Sequence, residues 1–132
     1  PHATSRTDAR GLMQVQPSTG RDLASGVGLA DFDPAMLWLP DVNLSLGMKH
    51  FAQAIARYPE TERSLAAYNA GTSRVDHWSQ TPLDGKQRST AQMRDPLDDV
   101  EIFVERIPFV ETRDYVRSVF RNLSMYRMLY KE

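Results

Sequence analysis

The chain has 132 residues, enough for a domain with a hydrophobic core of its own. Hydrophobic residues supply 41% and charged residues 25%, a balance that excludes disorder as the native state. A net charge of −1, from 16 basic and 17 acidic residues, excludes a partner held mainly by charge, such as nucleic acid.

Residues 1–16 are polar and turn-rich and predict loop with a short extended piece. Within them, Gly11-Leu12-Met13-Gln14-Val15-Gln16-Pro17 is too short and too broken for a long helix. It reads either as a packed turn or as a strip that lines a groove and offers amides to a polar ligand. Pro17 suits the first turn of a helix that fades at Ser25-Gly26-Val27-Gly28. Asp31 to Pro40 predicts a loop with one helical turn at Pro34 to Leu37.

Asp41 to Tyr58 predicts a long helix capped by Asp41. Leu44, Met48, Phe51, Ala52 and Ile55 recur at three- and four-residue steps as its apolar face, and Pro59 stops it. Thr61 to Ala70 is the next helix, with Thr61 as cap and Gly71 as a left-handed residue past its end. Ser73 caps a short helix through Val75 and Trp78. Residues 79–96 are polar, hold Pro and Gly, and predict a surface insertion. Leu97 to Arg106 is a helix with Val100, Phe103 and Val104 inside, broken by Pro108. Glu111 to Tyr130 is the last helix, with Tyr115, Val119, Phe120, Leu123, Tyr126, Met128 and Tyr130 as core candidates. The fold class is mainly α, with at most a small β element near the N-terminus.

Little in the chain suggests metal or nucleophile chemistry. His2, His50 and His77 fit no ligand spacing, there is no cysteine, and no Gly-x-Ser-x-Gly or phosphate-cradling glycine loop occurs. No metal or cofactor is expected. No apolar run reaches the roughly 20 residues that span a bilayer. Three segments remain: the Gly11–Pro17 strip, Ala66-Ala67-Tyr68-Asn69-Ala70-Gly71 at a helix end, and Ile107 to Tyr115, where a proline break leads into a helix. Each marks a change of backbone direction, so their side chains are expected to converge on one cleft. Amides, phenols and a carboxylate suit a ligand rich in hydroxyl and acetamido groups, because an amide both donates and accepts. A sugar fits that set better than a nucleotide.

Ser5, the GLMQVQP segment, AAYNAG followed by Arg74-Val75, and IPFVETRDYV stand in the order and approximate spacing of the soluble lytic transglycosylase catalytic domain, which the chain resembles from Pro1 to about Tyr130. The resemblance implies a lysozyme-like helical fold. It also implies cleavage of the β-1,4 bond between N-acetylmuramic acid and N-acetylglucosamine in peptidoglycan, within the bacterial envelope and its periplasm. In that family one glutamate protonates the leaving oxygen. It then removes the proton of the muramyl C6 hydroxyl, which closes on the anomeric carbon to give a 1,6-anhydro end. An internal nucleophile at high effective concentration replaces water.

Carried over residue by residue, the resemblance makes Ser5, Gln14, Gln16, Tyr68, Asn69, Glu111 and Tyr115 substrate-binding groups. Gln16 stands where the family often has methionine, which exchanges an apolar contact for a hydrogen bond. Glu111 falls on the far wall as a binding and stabilising group, and Gly71 and Arg74 look structural. The family's catalytic acid belongs to a Glu-Ser-x-Phe-x-Pro motif whose last proline matches Pro1. The acid is therefore expected five residues before Pro1, on a helix outside these 132 residues, and further domains upstream fit the same expectation. Glu101 and Glu105 read as solvated. Two alternatives share the fold: a hydrolytic lysozyme, and a peptidoglycan-binding module without activity.

Overall fold

A computed structural model describes residues 3–80 and 96–130. Most of the surface insertion expected over 79–96 lies outside the described residues, as do Pro1 and His2. The chain divides into two compact units, Pro1–Gln53 and Ala54–Glu132, and the division falls within a helix.

In the first unit, isolated antiparallel bridges pair Thr4 with Arg10 and Arg10 with Val15, which is the small β element that composition allowed. α1 (Pro17–Ala24) begins on proline, with Gln16 extended ahead of it, and runs on as a tight turn over Ser25–Val27. A second tight turn, Pro34–Trp38, is capped by Asp33, whose carboxylate accepts from the Ala35 N–H at 2.7 Å. α2 (Pro40–Arg57) follows. Val15, Leu23, Leu37 and Leu46 form the core here, with Met13, Val27, Leu29, Phe32 and Val42 packed against it. Each such side chain removed from water contributes about 1.5–3 kcal/mol.

The buried face of α2 is not the one its apolar spacing predicted. Leu44, Met48 and Ile55 are exposed, whereas Asn43, Leu46, Gly47 and Ala54 are buried at the same three- and four-residue steps. The reason is steric and polar. Asn43 holds three main-chain groups, and Gly47 leaves room for the Met13 side chain, whose Cγ would stand 2.7 Å from any Cβ added there.

The second unit holds α3 (Thr61–Ala70), α4 (Thr72–Gln80), α5 (Pro96–Arg106) and α6 (Val110–Tyr130). α3 packs against α4, α5 and α6, and so buries a run of mostly small residues: Ser64, Leu65, Ala66, Ala67 and Ala70. A helix enclosed on three sides needs small residues where its neighbours approach closely. Its N-cap is the extended Glu60, not Thr61, and no side chain caps it. Gly71 has φ +91° and ψ 149°, outside the left-handed helical well but in a region that glycine alone tolerates. Val75, Trp78, Phe103, Val104, Ile107 and Val116 complete this core.

At the end of α2, the Tyr58 hydroxyl donates to Asp76 Oδ1 at 2.6 Å, and Arg57 pairs with the other oxygen of the same carboxylate at 2.6 Å, which ties α2 to α4. On α6 the buried residues are Thr112 and Val116. Tyr115, Val119 and Leu123 are half-buried, and Phe120, Tyr126, Met128 and Tyr130 are exposed, so the core expected along the whole helix is confined to its first half.

Candidate functional site

The residues singled out from sequence fall in both units. In the first, Arg10 and Val15 exchange backbone hydrogen bonds, each at 3.0 Å, and close a turn over Gly11–Gln14. Gly11 and Gln14 both have positive φ, at 75° and 50°. Glycine is required at position 11 on a second count: a Cβ there would meet the Leu37 carbonyl oxygen at 2.5 Å and the Asn43 amide as well.

Asn43, 1% exposed, is the keystone of this turn. Its Oδ1 accepts from the Met13 N–H at 2.7 Å, and its Nδ2 donates to the carbonyls of Arg10 at 2.8 Å and Leu37 at 3.0 Å. Arg10 adds a two-point ion pair with Asp8 at 2.8 and 2.9 Å, a bond to the Pro34 carbonyl at 3.1 Å, and a guanidinium 5.6 Å from the Trp38 ring centre. The strip is therefore a packed turn whose Leu12, Gln14 and Gln16 are exposed.

Ser5 and Gln14 already have protein partners. Ser5 Oγ accepts from the N–H groups of Thr7 and Ala9 at 3.2 and 3.0 Å, which holds the turn in front of the strip. Gln14 Nε2 donates to the carbonyls of Ala3 and Gly11 at 3.1 and 2.8 Å. Gln16 is exposed at the N-terminus of α1.

In the second unit, the end of α3 meets the first turns of α6. Thr112, 3% exposed, donates its hydroxyl to Asn69 Oδ1 at 2.7 Å. Tyr68 and Tyr115 are half-buried, one on each helix. Burial, then the neighbouring Tyr115, pushes the Tyr68 phenol up to about 12, and burial raises that of Tyr115 as well. Both phenols are neutral donors throughout the physiological range. Glu111 lies in the exposed first turn of α6, where the helix dipole favours a carboxylate. Phe109, just before it, meets Trp78 edge to face at 5.5 Å and carries the Arg74 guanidinium 5.3 Å from its ring centre. Arg74 also donates to the Ala70 carbonyl at 2.7 Å, closing the end of α3.

This arrangement offers hydrogen-bond donors and acceptors beside aromatic rings. Glu101, Glu105 and Glu111 are all exposed, so none of the three has the desolvated site of a general acid. Glu105 is paired with Arg117. An apolar cavity of about 700 Å³ between α3, α5 and α6 is lined by Glu62, Val104, Val116 and Phe120, among others, and by none of the candidate substrate-binding residues. Asn43 and Thr112 were missed by the sequence reading. The signal for Asn43 was its four-residue step to Gly47; Thr112 had only its place between Glu111 and Arg113.

The family model of the transglycosylase SLT domain matches residues 1–96. A Haemophilus influenzae protein, provisionally named a soluble lytic murein transglycosylase, is 37% identical over 98% of the chain. The soluble lytic murein transglycosylase of Escherichia coli is 31% identical over 96%. The chain spans about a fifth of the length of these relatives, 20% and 18%. A crystal structure of the lytic transglycosylase Slt from Pseudomonas aeruginosa, in an inactive glutamate-to-glutamine mutant, is similar over 98% of this chain and 19% of its own, with 30% identity and a TM-score of 0.76.

Proposed function

The chain belongs to the transglycosylase SLT domain family, and on that premise we propose that it is the glycan-cleaving domain of a peptidoglycan lytic transglycosylase of the bacterial envelope. The observation that carries the reading is the family match over residues 1–96, joined by structural similarity across 98% of the chain. The reaction proposed is non-hydrolytic: the C6 hydroxyl of N-acetylmuramic acid displaces N-acetylglucosamine and leaves a 1,6-anhydro end. The glycan-binding groups proposed in the second unit are Tyr68, Asn69, Glu111 and Tyr115. Those proposed in the first are Ser5, Gln14 and Gln16.

The general acid is assigned to a glutamate outside these residues, five positions ahead of Pro1. Two observations support that assignment. A group that must be protonated at neutral pH needs a desolvated site, and Glu101, Glu105 and Glu111 have none. The similar structure from Pseudomonas aeruginosa is an inactive mutant in which one glutamate became glutamine.

The test is to incubate purified sacculi with this polypeptide, and separately with a version extended upstream through the glutamate, and to analyse the products by mass spectrometry. The extended protein is expected to release anhydromuropeptides. The 132 residues alone are expected to be slower by about 10²- to 10⁴-fold, the usual cost of losing a general acid. Products heavier by one water would make it a hydrolase. Strong anhydro product from the 132 residues alone would refute the position assigned to the acid. The exposed carboxylates favour one second reading, a glycan-binding module without turnover; an extended protein that binds sacculi and releases nothing would establish it.

A further inference from the structure

The Asn69–Thr112 pair joins residues 43 positions apart and fixes something that neither residue fixes alone. An asparagine amide has two ends of opposite character, an acceptor oxygen and a donor NH2. Free in solvent, it presents either end by rotation about its last bond. Here one end is occupied. The Thr112 hydroxyl, buried in the first turns of α6, donates to Asn69 Oδ1 at 2.7 Å. With its oxygen turned to Thr112, the amide turns its Nδ2 donors away. Asn69 itself is exposed, next to the half-buried Tyr68.

We propose that Thr112 is a positioning residue that locks the Asn69 amide with its donors outward, so that this surface selects an N-acetylated sugar through the acetamido carbonyl. The inference rests on the glycan reading above and deepens it. An outward NH2 complements a carbonyl oxygen and gains less from a hydroxyl in its place. Tyr68 and Tyr115 supply apolar ring surface beside it, and as neutral phenols they add no charge that would override the choice. Removing the Thr112 hydroxyl frees the amide, which then meets the sugar with either end, and the preference for the acetamido group fades.

The experiment compares binding of tetra-N-acetylchitotetraose and cellotetraose, both neutral, by titration calorimetry. The proteins are the wild-type chain, Thr112→Val, Thr112→Ser and Asn69→Asp. Wild type is expected to prefer the acetylated sugar by about tenfold, the worth of one well-placed hydrogen bond. Thr112→Val should lose most of that preference while still binding cellotetraose. Thr112→Ser, which keeps the hydroxyl, should retain it. Asn69→Asp, at an exposed position where folding is not at risk, should lose it because no donor remains.

A purely structural threonine would lower the melting temperature in Thr112→Val and leave the ratio of the two affinities alone. A preference that survives in Thr112→Val or Asn69→Asp overturns the proposal. So does a wild type that binds both sugars equally, although the glycan reading then stands. A wild type that binds neither sugar overturns both. Should Thr112→Val fail to fold, Thr112→Ser and Asn69→Asp decide the matter.

Discussion

Replacing Asn43 with leucine tests the keystone of the first unit. The substitution nearly preserves volume and removes three hydrogen bonds, from the Met13 N–H and to the Arg10 and Leu37 carbonyls. The Arg10 carbonyl keeps the Val15 N–H as a partner. The Met13 N–H and the Leu37 carbonyl lose the partner that Asn43 gave them. At a net worth of roughly 1 kcal/mol per bond, the loss is about 3 kcal/mol. That is a large part of the roughly 5–15 kcal/mol that holds a domain folded.

Asn43→Asp sharpens the test. It keeps the acceptor for Met13 but turns a second oxygen toward the two carbonyls. Both repulsion and burial raise its folded pKa above the unfolded value, so its stability is best below the unfolded carboxylate pKa and falls as pH rises through the folded one. The assay is amide hydrogen exchange with urea titration, because two compact units need resolving. Protection of the Arg10 and Val15 amides should collapse in Asn43→Leu, with the α3 and α6 amides far less affected. A leucine variant within about 1 kcal/mol of wild type, or unchanged protection at Arg10 and Val15, refutes the keystone argument.

Three further outcomes are expected. Gly11→Ala should cost more than about 2 kcal/mol in denaturant melts, since it adds positive-φ strain to collision with the Leu37 carbonyl; a neutral effect would show that the turn yields freely. Burial lowers the His50 pKa from 6.5, so the folded state holds fewer protons there. Stability is present above pH 6.5 and is lost as pH falls from there through the folded pKa; His50→Gln should flatten that slope in urea midpoints measured against pH. The Tyr68 phenol should ionise near pH 12 in ultraviolet difference spectra. The stability carried by its neutral form is complete below pH 10 and is lost as pH climbs towards 12; ionisation near 10 would place Tyr68 in solvent.

The helices were legible because their punctuation is local. Pro17, Pro34 and Gly71 act within one turn of chain, and the boundaries read from them lie within a residue or two of α1, the Pro34–Trp38 turn and α3. What faces inward was less legible, because periodicity counts apolar side chains and not what they meet. On α2 the stripe Leu44, Met48, Ile55 is the more hydrophobic one, yet it is exposed. The face that is buried carries an amide at Asn43, which bonds backbone, and no side chain at Gly47, where the Met13 side chain packs. The same bias extended the core of α6 over Tyr126, Met128 and Tyr130, whose size suggests burial and whose neighbours do not provide it.

The candidate site divides along a related line. The residues proposed to bind glycan in the second unit were chosen by type and by resemblance: Tyr68, Asn69, Glu111 and Tyr115 stand where α3 ends and α6 begins. Residues that aim that chemistry were not found, because aiming is done from behind by a side chain distant in sequence. Thr112 sits between Glu111 and Arg113 with nothing in composition to mark it, and only the fold brings its hydroxyl 2.7 Å from Asn69. Asn43 does the same for the strip, 30 residues from Met13. Both are nearly inaccessible, and both spend polar atoms on a long-range bond to an exposed bend. A buried polar side chain bonded to an exposed, chemistry-bearing bend is thus the structural mark of a positioning residue, and it follows from the cost of burying an unpaired polar group.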